Sequence, residues 1–192
     1  MSRRNFILKT LGYILAPLAA LRVQGAQGAQ DSHGTHPVPG AKRALGVPSH
    51  AAELLPFDAN SLASLRKTHA GRPFVLAFWS LHCEPCRDEM AEWNAVKRRH
   101  PSLPVILVST DTPSDGRMIE TFFAKYPPGA VQKWVFADAF TERVRYAVDK
   151  SWRGELPKSY FFDAAHKIEA KSGRVNRTWI EAWAARVSTK PQ

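Results

Sequence analysis

Apolar residues along this chain follow two kinds of order. Continuous runs of strand length alternate with stretches in which apolar positions recur every three or four residues. Pro73 opens a run that stays apolar to Trp79, as expected of a central strand covered on both faces. Residues 104–109 repeat the pattern, and residues 134–136 form a shorter strand. Between these runs the spacing is helical. Asn60 or Ser61 is placed to cap a helix ending near Thr68. Residues 84–99 carry an apolar stripe stopped by Pro101. Ser114 or Asp115 opens a helix to about Lys125, which Pro127 and Pro128 end. A short helix is expected over 140–147. Residues 159–163 and 167–171 flank a turn and predict a hairpin. The last helix spans 177–187, with Trp179 and Trp183 on one face.

Strands alternating with helices imply a parallel core, and the closing hairpin adds antiparallel strands. The expected fold is therefore α/β, with a central mixed β-sheet flanked by helices on both faces. No internal repeat is visible.

Before residue 53 the pattern is different. Residues 1–30 hold Arg3, Arg4, Lys9 and Arg22 and no acidic residue, around an apolar stretch over 11–21. Small residues Gly25, Ala26, Gly28 and Ala29 follow. This is the layout of an export signal, and Ser2 to Lys9 resembles a twin-arginine signal. The expected organisation is a signal peptide over 1–28, a flexible linker over 29–52 and one domain over 53–192. A Sec signal or an uncleaved membrane anchor is the other reading of the first segment. His33, His36 and His50 fall in a stretch rich in Gly, Pro and Ala. They read as solvated linker residues or as a loose metal site.

The composition narrows the function classes. The chain has 192 residues, 44% of them hydrophobic, which excludes a wholly disordered chain. No run of 18 apolar residues suits a full membrane span. The net charge of +10 invites a nucleic-acid reading. Removing the four signal cations leaves 23 Lys and Arg against 17 Asp and Glu, about +6. The one dense basic cluster, Lys97 to Arg99, sits at a helix end, where cations favour the exposed carbonyls. It reads as a solvated helix end, and no nucleic-acid partner is expected.

The chemistry is concentrated at Cys83-Glu84-Pro85-Cys86, where a buried strand hands over to a helix. These are the only two cysteines, too few for a disulfide scaffold or a four-cysteine zinc site. Cys83 would sit at the helix N-terminus, whose unpaired N–H groups and positive dipole end favour thiolate. Pro85 lies in the first turn, where a helix tolerates it. Cys86, Met90, Trp93 and Val96 form the stripe facing the sheet. Cys86 is thus partly buried and suits the resolving role, whereas Cys83 is exposed and suits attack. A structural disulfide over so short a loop would stabilise little, and a zinc site would need two further ligands. A redox-active pair is the favoured reading, with no other cofactor.

The segment from Phe78 to Met90, the later Gly154-Glu155-Leu156-Pro157 and strand 159–163, and the exported N-terminus resemble the TlpA/ResA class of thioredoxin-fold thiol–disulfide oxidoreductases. The resemblance covers roughly 53–187 and implies a thioredoxin-like fold. It places Pro157 as the cis-proline beside the active disulfide, presenting the preceding backbone to a substrate strand. It places Glu89 as the carboxyl that relays a proton to or from Cys86. The competing readings are an ordinary trans proline and a surface glutamate. The chain departs from the pattern at His82, where Trp is common before the first cysteine. It departs also at Ala91, where a kinking proline is frequent, at Ala77, where thioredoxin has a buried aspartate, and at Leu156. His82 shapes the rim, stabilises the Cys83 thiolate, or joins it in binding a metal.

The resemblance implies an enzyme that reduces disulfides of periplasmic client proteins. These would be apocytochrome c cysteines or a copper-insertion protein, with a membrane thiol-transfer protein as electron donor. A monomer is expected. Glu84 and Glu89 put negative charge near the sulfurs, which opposes thiolate and leans toward a reductant. Two alternatives are a copper-binding metallochaperone using Cys83, Cys86 and nearby histidines, and a disulfide-forming oxidant. The oxidant usually carries a large helical insertion, for which the roughly 68 residues between Cys86 and Gly154 leave little room.

Overall fold

The computed structural model describes residues 54–188. The proposed signal, the linker and its three histidines lie outside the described residues. Six strands form one sheet in the order β1-β4-β3-β2-β5-β6. They are β1 (Leu55–Phe57), β2 (Phe74–Trp79), β3 (Val105–Ser109), β4 (Gln132–Phe136), β5 (Lys158–Phe162) and β6 (Ile168–Ser172). The first four run parallel. Strand β5 is antiparallel to β2, and β6 to β5. The mixed sheet is as expected.

Helices α1 (Ser61–Thr68), α2 (Glu84–Arg99), α3 (Gly116–Lys125), α4 (Thr141–Val148) and α5 (Arg177–Ser188) cover both faces. The period-two alternation of the strands sorts the core into two layers. Val75, Ala77 and Trp79 face α2, α3 and α5, where they meet Cys86, Met90, Trp93, Ile119 and Trp183. Phe74, Leu76 and Phe78 face the other way, toward Leu62 and Leu65 of α1 and Val144 of α4. Phe161 on β5 gathers Trp93, Trp179 and Trp183 around its ring, at centroid distances of 6.3, 4.7 and 5.1 Å. Leu156 packs against both layers.

The structure differs from the sequence expectations in four local respects. Strand β1 was not foreseen, because it has three residues and contains Pro56, yet Phe57 is fully buried. The α1 start is held by Asp58, whose carboxylate accepts from the Asn60 N–H at 2.8 Å and the Ser61 hydroxyl at 2.9 Å; the Asn60 side chain caps nothing. A 3-10 turn (Pro113–Asp115) precedes α3. In it, Asp115 accepts from the Thr112 N–H and hydroxyl instead of capping the helix.

The fourth correction concerns Lys97, which is not a solvated residue. It is buried, and its ammonium donates to the carbonyls of Pro101 at 2.8 Å and Leu103 at 2.6 Å. It lies one turn beyond Trp93, so its aliphatic stem follows the buried side of α2 while the charge reaches the loop.

Candidate active site

Strand β2 ends at Trp79, and α2 begins at Glu84. The four residues between them bring the chain from the buried centre of the sheet to its carboxyl edge. Cys83 is the N-cap of α2, in extended conformation, and its sulfur accepts the Cys86 N–H at 3.2 Å. One of the orphan donors of the first helical turn is therefore spent on sulfur. Pro85 occupies the first turn. The two cysteines are disulfide-bonded, with Cα atoms 5.3 Å apart. Cys86 is fully buried, more deeply than expected. Cys83 is half-buried and packs against the α2-side core, so it is less exposed than its position at the helix end predicts.

Glu89 is 1% exposed, which overturns the surface reading. Its carboxyl accepts the Val175 backbone N–H at 2.8 Å. Burial pushes its pKa up to about 7, because the charged form loses hydration. The Val175 hydrogen bond, the nearby Trp93 indole and the Arg174 charge oppose this only in part, and Glu92 adds to it. The Trp93 indole N–H is buried with no other hydrogen-bond acceptor in reach.

The Leu156–Pro157 peptide bond is cis. Its surroundings are braced from two sides. The Gly173 N–H donates to the Pro157 carbonyl at 2.9 Å. Gly173 has φ +79°, a conformation that favours glycine. On the other side, the Trp152 indole donates to the Glu155 carbonyl at 3.0 Å. Buried Lys158 donates to Glu155 at 3.2 Å and to the Ser172 hydroxyl at 2.9 Å. The 172–175 connection thus reaches both the Pro157 segment and Glu89.

Asp111 is a site residue that the sequence did not single out. Its carboxylate accepts the Leu81 N–H at 2.9 Å and the Ser109 hydroxyl at 2.5 Å. It fixes the turn that leads into Cys83. The signal available was Ser109-Thr110-Asp111 at a strand end, where such residues bond locally. Asp111 N–H does donate to the Ser109 hydroxyl at 3.1 Å, but the contact to Leu81 spans 30 residues. His82 is exposed on the rim. Its charge helps hold the Asp115 carboxyl below the usual range, after the two Thr112 hydrogen bonds. Glu84 is exposed and paired with Arg87 at 3.0 Å. Among the described residues, no three His, Cys, Asp or Glu side chains are grouped to hold a metal ion. No helix among them is long and apolar enough to cross a membrane.

A family model described as AhpC/TSA matches residues 50–171. No curated protein sequence matches significantly. Solved structures resemble the chain in fold. Mycobacterium tuberculosis (MTB) DsbF is 21% identical, with TM-score 0.52 over 63% of this chain and 84% of that one. A thiol:disulfide interchange protein of the thioredoxin family from Chlorobium tepidum is 14% identical, with TM-score 0.53 over 64% and 83%. A thioredoxin-related protein from Neisseria meningitidis is 19% identical, with TM-score 0.52 over 62% and 86%. The fold of the chain is thus thioredoxin-like.

Proposed function

The chain belongs to the AhpC/TSA family, and from its strand–CxxC–helix site we propose that it is an exported thiol–disulfide oxidoreductase that reduces disulfides of client proteins. The observation that carries this reading is the pairing of a half-buried sulfur at a helix N-terminus with a fully buried one, and a buried carboxyl one turn behind. The Chlorobium tepidum protein of similar fold, a thiol:disulfide interchange protein, supports it.

In the dithiol form, Cys83 thiolate attacks one sulfur of the client disulfide. The client's second sulfur leaves as a thiolate, and a Cys83–client mixed disulfide remains. Leu156–Pro157 holds the client backbone alongside. Cys86 then loses its proton to Glu89 or water and attacks the Cys83 sulfur. This forms the Cys83–Cys86 disulfide and releases the client's first sulfur. Two electrons have passed to the client, and its two thiolates take up protons from Glu89 or water. A carboxyl with a pKa of about 7 is matched to accept and return a proton near neutral pH.

The restored disulfide needs an external two-electron donor, proposed to be a membrane thiol-transfer protein. The proposed location is the periplasm, reached by the twin-arginine route. The proposed clients are apocytochrome c or a copper-insertion protein, whose cysteines must be reduced before haem or copper is taken up. Equilibrium titration of the Cys83–Cys86 pair against glutathione or dithiothreitol tests the direction. A reductant has a potential of about −200 to −270 mV, whereas a value near about −120 mV would overturn the reading.

A further inference from the structure

Helix α4 and the connection that follows it enclose a groove of about 390 Å³. Four cations, Arg143, Arg145, Lys150 and Arg153, and one carboxylate, Glu142, line it. Two are neutralised within the protein, Arg143 by Asp138 at 2.6 Å and Arg145 by Glu142 at 3.0 Å. The side chains of Lys150 and Arg153 have no carboxylate partner among the described residues, and the Arg153 backbone N–H donates to the Glu155 carboxylate at 3.1 Å. The Lys150 ammonium stands 5.5 Å from the Tyr146 ring centroid, and Tyr146 is 60% exposed. The groove therefore offers an exposed aromatic residue and two cationic side chains without a carboxylate partner, one of them held against the ring.

Its position relates it to the disulfide. Trp152 closes the groove wall and is itself buried, and its indole holds the Glu155 carbonyl, one residue before Leu156. Gly154, at φ +100°, turns the chain between them, with the Arg145 side chain in van der Waals reach of where a Cβ at 154 would stand. Arg153 is four residues from Pro157, at most about 14 Å of extended chain. The groove wall is thus continuous along the chain with the Leu156–Pro157 segment.

A second groove lies between α2 and the end of α3. Its Arg87 is paired with Glu84 and Asp88 lies in its wall, while Arg98, bonded to the neutral Asn94, and Lys125 keep their charge, so it serves as the internal comparison.

We propose that the α4 groove is the docking surface for an acidic, extended segment of the client protein, flanking the cysteine to be reduced. This rests on the reading of Leu156–Pro157 as the client-docking segment. Electrostatic attraction of this kind sets partner choice and encounter rate, and it is screened by salt.

The test uses the whole protein and pairs of synthetic peptides with Asp/Glu or with Lys flanks. Redox-inert versions carry Ser in place of Cys, so that binding is read apart from chemistry. The acidic peptide is expected to bind about tenfold more tightly than the basic one at low ionic strength. The preference is expected to vanish in the Lys150→Glu/Arg153→Glu variant and in about 0.5 M salt. Reduction of bis-hydroxyethyl disulfide by that variant reports an intact fold and site. Equal binding of the two peptides, or an unchanged preference in the variant, would overturn the docking surface. Acidic-peptide binding without any exchange by the cysteine-containing version supports the surface and instead sinks the oxidoreductase reading.

Discussion

The Val175 backbone N–H donates to the Glu89 carboxyl at 2.8 Å, joining residues 86 positions apart. Two residues earlier on the same connection, Gly173 N–H donates to the Pro157 carbonyl. One short strap therefore touches the acid one turn behind Cys86 and the cis Leu156–Pro157 segment. It supplies Glu89 with a single backbone donor. One hydrogen bond does not replace the hydration lost on burial, so the carboxyl titrates near 7.

That raised pKa has a definite consequence for stability. An unfolded glutamate titrates at about 4.3. Between there and about 7 the folded state binds more protons than the unfolded one, so stability falls as pH rises through this window. The loss from this group is on the order of 3 kcal/mol, complete above about pH 8. Glu89→Gln keeps an acceptor for Val175 and removes the titration. In urea denaturation of the oxidised proteins, the variant should match the parent near about pH 4.5 and exceed it near about pH 8. Parallel pH profiles would show that Glu89 does not titrate as argued.

Asp111 tests the turn before Cys83. Asp111→Ala removes the acceptor of the Leu81 N–H and of the buried Ser109 hydroxyl. Leaving such groups unpaired costs about 1–3 kcal/mol. Asp111→Asn retains an oxygen and should lose roughly half as much. A denaturant midpoint for Asp111→Ala equal to that of the parent protein would remove Asp111 from the site.

These contacts mark the boundary of what the sequence discloses. The strand–CxxC–helix order and the stripe Cys86, Met90, Trp93 and Val96 are local patterns, and the structure follows them. Glu89 borders that stripe, which allows for burial, but the Val175 donor that accompanies it lies 86 residues away. Asp111 depends on a contact across 30 residues, which no spacing rule encodes. Strand β1 is too short for a period and contains a proline. Lys97 sits in a run of three cations, where charge reads as solvent exposure. Its register with Trp93 carried the opposite signal.

Lys97 accordingly offers a structural test far from the chemistry. It lies 11 residues beyond Cys86, about 16 Å along α2. Lys97→Met keeps the apolar stem but strands the Pro101 and Leu103 carbonyls. Hydrogen bonds from a charged donor contribute about 1.5–3 kcal/mol, so a loss of about 2 kcal/mol is expected in chemical denaturation. The redox potential of the Cys83–Cys86 pair should not move. A fully stable variant would mean that water replaces the ammonium at no cost.

The division of labour between the sulfurs makes the last prediction. Cys83 caps α2 and is half-buried, whereas Cys86 is covered entirely by the core. Attack on a protein disulfide needs a sulfur that the client can reach, and resolution needs only the neighbouring sulfur. Cys86→Ala should therefore leave the attacking thiolate intact and stall the reaction as a Cys83–client mixed disulfide. Cys83→Ala should trap little, since Cys86 remains under the core. Reduced parent protein should likewise be alkylated first at Cys83, with the rate rising as its thiol deprotonates. Non-reducing electrophoresis and mass mapping of the adduct read both outcomes. Equal trapping by the two variants would assign the attack to neither sulfur in particular, and the asymmetry of burial would then have no catalytic meaning.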